Sequence, residues 1–361
     1  MGINDIIIII IVVFLCVGGI DYLIGNKFGL GEQFADGFNA MGPLTLAMVG
    51  IISIAPVLAT FITPIVVPVY AWFGADPAAF ANTILAIDMG GYALATEMSL
   101  SEEAELFSWI FLGTMMGPTI VFTIPVALGI IKKEDHAFFA KGILIGLITV
   151  PIGCFLGGLV AQFDTVMMIR NLLPTILFSV GIAIGLWLIP DSMIKGFKVF
   201  AKAIQIIAIV GLIAIIIETL TGFVVIANMT PLDEGIVIVG RIVLFLAGAF
   251  PLVTFIRKAF KSPLERVGSV MGMDKNAVAG IAASLAHVIP MFVLFKDMGN
   301  RGKVICVAFA VSGGFVLGSH LGFVAGIEKD MIFALIIGKL AGGISAVFLA
   351  LITTSKTETN G

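Results

Sequence analysis

Apolar residues run in long blocks separated by short polar breaks. Eleven blocks approach spanning length: 5–24, 40–62, 76–96, 104–131, 137–162, 168–189, 197–222, 235–258, 275–296, 303–326 and 330–353. A run of about 20 apolar residues crosses a bilayer as a helix. The blocks are apolar on every face, whereas barrel strands alternate. Backbone groups in lipid must be bonded internally, so these blocks predict helices. The expectation is an all-α polytopic membrane protein of about 11 segments. Proline and glycine interrupt several blocks. Residues 40–73 hold Pro43, Pro56, Pro64 and Pro68, and "MMGPT" at 115–119 predicts a break.

Composition agrees with the pattern. The 361 residues are 60% hydrophobic and 12% charged, with a mean hydropathy of +1.17. Soluble domains carry roughly 25% charged residues. No basic tract suggests nucleic acid. Cys16, Cys154 and Cys306 lie inside apolar runs at spacings that suit no metal and predict free thiols. No cofactor loop and no nucleophile–base set is visible, which argues against an enzyme.

The chain also repeats itself with an offset of about 198 residues. Gly74-Ala75-Asp76 corresponds to Gly272-Met273-Asp274, and Lys141 to Lys339. This predicts a first repeat over 1–165, a linking transmembrane helix over 166–194, a second repeat over 195–353 and a polar tail over 354–361. Transporters built this way bind substrate where broken helices meet. The positive-inside rule places the loops holding Lys132, Lys195, Lys198 and Arg257 in the cytoplasm. With eleven crossings the N-terminus falls inside, the C-terminus outside, and the repeats run parallel. Gly- and Ala-rich faces such as "GCFLGGL" and "KLAGGISA" suit internal packing and a homo-oligomer interface equally.

Most acids fall at block ends, and Asp88 does not. It sits about twelve residues into "PAAFANTILAIDMGGYALA", followed by Gly90 and Gly91. An intramembrane acid is expensive and marks a cavity, an ion path or a partner charge. The glycines permit unwinding, which frees carbonyls beside the carboxylate. That set suits a small cation; the competing reading is structural, a pairing of Asp88 with a buried lysine or a protonated Asp88 bonded to a neighbouring helix. Tyr92, one turn on, offers a ring to the same ligand, and Thr119 and Thr123 near the "GPT" break offer hydroxyls. In the second half, His287 aligns beside the Asp88 position and Pro290 opposite Tyr92. His320 lies in the region matching "MMGPTIVFT". Either histidine titrates near neutrality and could carry a proton.

Several stretches are familiar. "MGINDII", "FNAMGPLTLAMVGIISIAPVLA", "ILAIDMGGYALA", "LGTMMGPTIVFTIPVALGII" and "TVPIGCFLGGLVA" resemble the ethanolamine utilization protein family, the EutH permeases. The second half resembles it more diffusely, in "AGAFPLVTFIRKAF" and "SLAHVIPM". The resemblance implies a transporter of ethanolamine in the bacterial inner membrane, feeding cytoplasmic breakdown of the amine. Protonated ethanolamine fits the carboxylate, carbonyl and hydroxyl set around Asp88. A proton-coupled carrier or a channel for another small amine or cation is the alternative.

Overall fold

A computed structural model of the protein describes residues 2–354, with the side chains of 187, 190, 191, 194 and 261 left out. The polar tail expected over 354–361 lies outside the described residues save for Thr354. Every regular element among the described residues is helical. Eight helices are long and apolar enough to cross a membrane. The chain divides into two compact units. One comprises Met1–Phe38, Val126–Gly157 and Leu244–Gly361, and the other Asn39–Pro125 and Gly158–Val243. Each unit draws on both halves of the sequence.

Two of the eleven expected crossings do not cross. In the second unit, helix Ala78–Ile84 is followed by extended Leu85 and Ala86, a distorted turn Ile87–Gly91, and helix Tyr92–Met98. The Asp76 carboxylate ties both ends of this segment together. Its Oδ1 accepts from the N–H of Ala78 at 2.9 Å. Its Oδ2 accepts from the N–H groups of Leu100 at 2.9 Å and Ser101 at 3.2 Å. The chain therefore enters and leaves at one level, as a re-entrant helical hairpin. Seven residues rise only about 10 Å, a third of the hydrocarbon core. Two such arms joined by a bend cannot span it, but they carry the bend toward mid-depth.

Asp274 does the same in the first unit. Its Oδ1 accepts from the N–H groups of Asn276 at 2.8 Å and Ala277 at 3.0 Å, and its Oδ2 from that of Gly299 at 2.6 Å. Between those ends run helix Lys275–Ser284, a bend, and helix Ile289–Leu294. The segment after this hairpin is broken too: helix Asn300–Gly313 gives way to irregular residues 314–318 before helix Ser319–Ile327. Two hydrogen bonds of the first unit also exclude eleven crossings. Lys258 Nζ donates to the carbonyl of Phe28 at 2.8 Å, and Lys303 Nζ to Asp135 Oδ1 at 2.6 Å. Eleven crossings would put the members of each pair on opposite faces of the membrane.

Small residues set the packing within each unit. A Cβ on Gly142 or Gly146 would lie 2.5 Å from the Cβ of Val307 or Val311, so helix His136–Val160 meets helix Asn300–Gly313 almost backbone to backbone. In the second unit, Gly50 and Gly211 face each other where helix Met41–Ala71 meets helix Pro190–Thr221. In lipid, where apolar burial gives helices no reason to associate, such close approach supplies the van der Waals contact that does. Gly153, Gly342 and Gly343 likewise lie in helix contacts, which accounts for the packing role of "GCFLGGL" and "KLAGGISA".

Candidate functional site

The tip of the first hairpin is built from residues that refuse a helix. Gly90 stands at φ +98°, a conformation closed to most side chains, with Ile51 packed over it. The carbonyl of Ala86 accepts from the N–H groups of both Met89 and Gly91, each at 2.9 Å. Asp88 lies in this turn, partly exposed. The carbonyl end of helix Ala78–Ile84 points into the same bend, and helix C-termini favour cations.

The expected break at "MMGPT" is absent: helix Glu102–Ile130 runs through it, widened over Thr119–Thr123, and lies against the tip. A Cβ on Gly117 would sit 1.8 Å from the carbonyl oxygen of Leu85, so the "MMGPT" stretch passes directly over the hairpin bend. Thr119 and Thr123 begin and end the widened helical turn that follows, and both are buried. The Thr119 hydroxyl donates to the carbonyl of Met115 at 2.8 Å. The ring of Tyr92 meets that of Trp109 edge-on, with centroids 5.3 Å apart. The structure thus gathers Asp88, Gly90, Gly91 and Tyr92 on one hairpin tip and lays the turn holding Thr119 and Thr123 next to Gly117.

Asn82 belongs to this site as well. Helical geometry put it about 120° off the face of Asp88, but the extended residues Leu85 and Ala86 fold the chain back. Its carboxamide Oδ1 is wedged against Gly91 and Gly113, where a Cβ would come within 2.4 and 2.3 Å. Its Nδ2 donates to the Ser108 hydroxyl at 2.9 Å, and that hydroxyl donates to the carbonyl of Ala78 at 2.6 Å. Asn82 is fully buried, and its Oδ1 has no hydrogen-bond partner among the described residues. A buried acceptor of this kind calls for a donor, whether water, ion or ligand.

His287 and His320 come together separately, in the first unit. The carbonyl of Ser284 accepts from the N–H of Phe315 at 2.8 Å, and that of Leu285 from Leu317 at 2.8 Å, so this hairpin tip meets a broken helix. The two imidazoles flank the Phe315 ring, with centroids at 4.9 and 4.7 Å. His320 Nδ1 lies 3.3 Å from Lys339 Nζ.

A family model for the ethanolamine utilisation protein EutH matches residues 3–353. A protein of Listeria monocytogenes named "Probable ethanolamine permease EutH" is 59% identical over 96% of this chain and 93% of its own. One of Escherichia coli with the same name is 42% identical over 99% of this chain and 97% of its own. The Bacillus subtilis protein YxeR, of uncharacterized function, is 60% identical over 97% and 95%. No solved structure matches. The match is nearly end to end and takes in both hairpins, and the chain belongs to the EutH family.

Proposed function

We propose that the protein is an ethanolamine permease of the bacterial inner membrane, carrying the amine in its protonated form. The supporting observation is the first hairpin tip, where a carboxylate, a helix carbonyl end and an unsatisfied carboxamide oxygen share one bend. Ethanolammonium is a small cation with a hydroxyl, so its ammonium needs acceptors and its hydroxyl can donate to one. Asp88 neutralises the ammonium. Asn82 Oδ1 accepts an N–H or the alcohol proton, and the Tyr92 ring offers a π face. The neutral amine crosses lipid unaided, so a protein matters most when the amine is charged. Two relatives that share most of this chain are named as probable permeases, a transport role rather than an enzymatic one.

The test is uptake of labelled ethanolamine by purified protein in liposomes at acidic external pH. Wild type takes up the amine. Asp88→Asn, folded and monodisperse, loses at least tenfold. Uptake by Asp88→Asn at the wild-type rate would remove the ammonium from this tip, and no uptake by wild type would refute the substrate.

A further inference from the structure

The first unit holds a pair of bases that the proposed amine site does not use. Lys339, on helix Ile332–Thr353, has no exposed surface, and His320, in the first turn of helix Ser319–Ile327, is 2% exposed. Their nitrogens lie 3.3 Å apart. Two positive charges this close in a low-dielectric interior repel strongly, so the pair holds at most one.

Two protonation states satisfy the same contact. In one, the Lys339 ammonium donates to Nδ1 of an imidazole that carries its proton on Nε2. In the other, the neutral Lys339 amine accepts from Nδ1–H. They interconvert by a balanced shift: an ammonium N–H bond breaks, its proton bonds to Nδ1, and the Nε2 proton leaves to water. One proton is released, and the imidazole changes tautomer. The surroundings are built around this ring. Phe315, flanked by both imidazoles, is held at φ +60°, a strained value for a bulky residue. Strain of that kind concentrates at functional positions.

We propose that Lys339 and His320 form a proton-binding site whose proton exchanges with water during the transport cycle, linking amine movement to proton movement. The proposal rests on the transport reading above. The elements packed around the pair carry other titratable and charged groups, Cys306 on helix Asn300–Gly313 among them. Cys154 lies on helix His136–Val160. His287 lies across the Phe315 ring. Lys141 lies two turns into the helix that carries Cys154. Arg301 and Lys303 sit at the far end of helix Asn300–Gly313, and Glu328, Lys329 and Asp330 follow the helix of His320. Helix Ile3–Leu23, packed on that of Lys339, carries Asp5, Cys16 and Asp21.

The experiment uses the full chain in liposomes with a pH-sensitive dye trapped inside, at acidic pH, with protein-free liposomes subtracted. Labelled ethanolamine and proton movement are read together, and their ratio is the result. Wild type moves protons in fixed ratio to amine. In Lys339→Arg, which keeps its charge, and in His320→Gln, that ratio falls at least tenfold. Amine movement by wild type without protons overturns the proposal and leaves the permease reading standing, as does either variant keeping the wild-type ratio. No amine movement by wild type overturns both. Should the variants fail to fold, nitrogen NMR of wild type decides. The chain has three histidines, and His136→Gln and His287→Gln identify the third ring. It changes tautomer as the pH is raised; one tautomer throughout refutes the site.

Discussion

Asp76 is the residue on which the first hairpin closes, and its loss can be worked through. The carboxylate is 8% exposed and accepts three backbone N–H groups, two from the far end of the hairpin. Hydrogen bonds to a charged group contribute about 1.5–3 kcal/mol each. The N–H groups left behind recover part of this from water at the membrane surface. Asp76→Ala is therefore expected to destabilise by roughly 3–5 kcal/mol rather than the full sum. Asp76→Asn is the sharper variant, because its shape is unchanged. Its single oxygen serves either Ala78 or the pair Leu100 and Ser101, while its NH2 group meets the remaining donors. It should lose roughly 2–4 kcal/mol, most of the alanine effect. For a chain of this length that is a fall of roughly 3–5 °C in Tm. The assay is thermal unfolding in detergent, alongside protease cleavage between residues 98 and 102. A Tm within about 2 °C of wild type for both variants, with no new cleavage, would refute the idea that this carboxylate holds the hairpin shut.

Two further outcomes follow from single contacts. Gly117→Ala puts a Cβ 1.8 Å from the Leu85 carbonyl oxygen and 2.9 Å from the Ala86 nitrogen, both backbone; the hairpin tip must shift, and uptake should fall at least tenfold with folded protein retained. Lys303→Ala strands Asp135, which is 7% exposed, without its only ion-pair partner among the described residues. That should destabilise by about 3–5 kcal/mol, whereas replacing both with apolar residues should restore most of the Tm.

The part of this architecture legible in the sequence is the part carried by local chemistry. Asp88 followed by two glycines inside an apolar block announces a break, and the break is there. The "MMGPT" stretch announces a break as well, but helix Glu102–Ile130 runs through it and only widens over Thr119–Thr123. The return of the hairpin is not local. It depends on one carboxylate reaching backbone groups 24 and 25 residues away, and Asp76 in isolation reads as an ordinary interfacial acid. Asn82 is hidden for the same reason: an ideal helix carries it away from Asp88, and only the extended Leu85 and Ala86 return it to Gly91. For His287 and His320 the residue types were visible in the sequence, but the meeting across Phe315 is tertiary.

The hairpins also reverse the orientation of the protein. Counting eleven crossings placed Lys27, Lys296, Arg301 and Lys303 opposite the main basic loops. Removing two crossings and keeping the broken segment 300–327 as one leaves nine. On that count all four join Lys132, Lys195, Lys198, Lys202, Arg257, Lys258 and Arg266 on a single face, and Arg170 and Lys329 are left on the other. Positive residues mark the cytoplasm, so the sharper asymmetry favours nine. Contacts inside the first unit agree: Lys258 reaches Phe28 and Lys303 reaches Asp135 on one face, while Asn4 Nδ2 donates to the carbonyl of Asp330 on the other. The N-terminus then lies outside and the C-terminus in the cytoplasm, the reverse of the eleven-crossing expectation. A fluorescent protein fused at the C-terminus should fold and glow, and alkaline phosphatase fused there should be inactive. Alkaline phosphatase fused in the loop at residues 222–231 should be active. An active phosphatase at the C-terminus would mean that one hairpin crosses after all, and the carboxylate closure argued from Asp76 and Asp274 would fall with it.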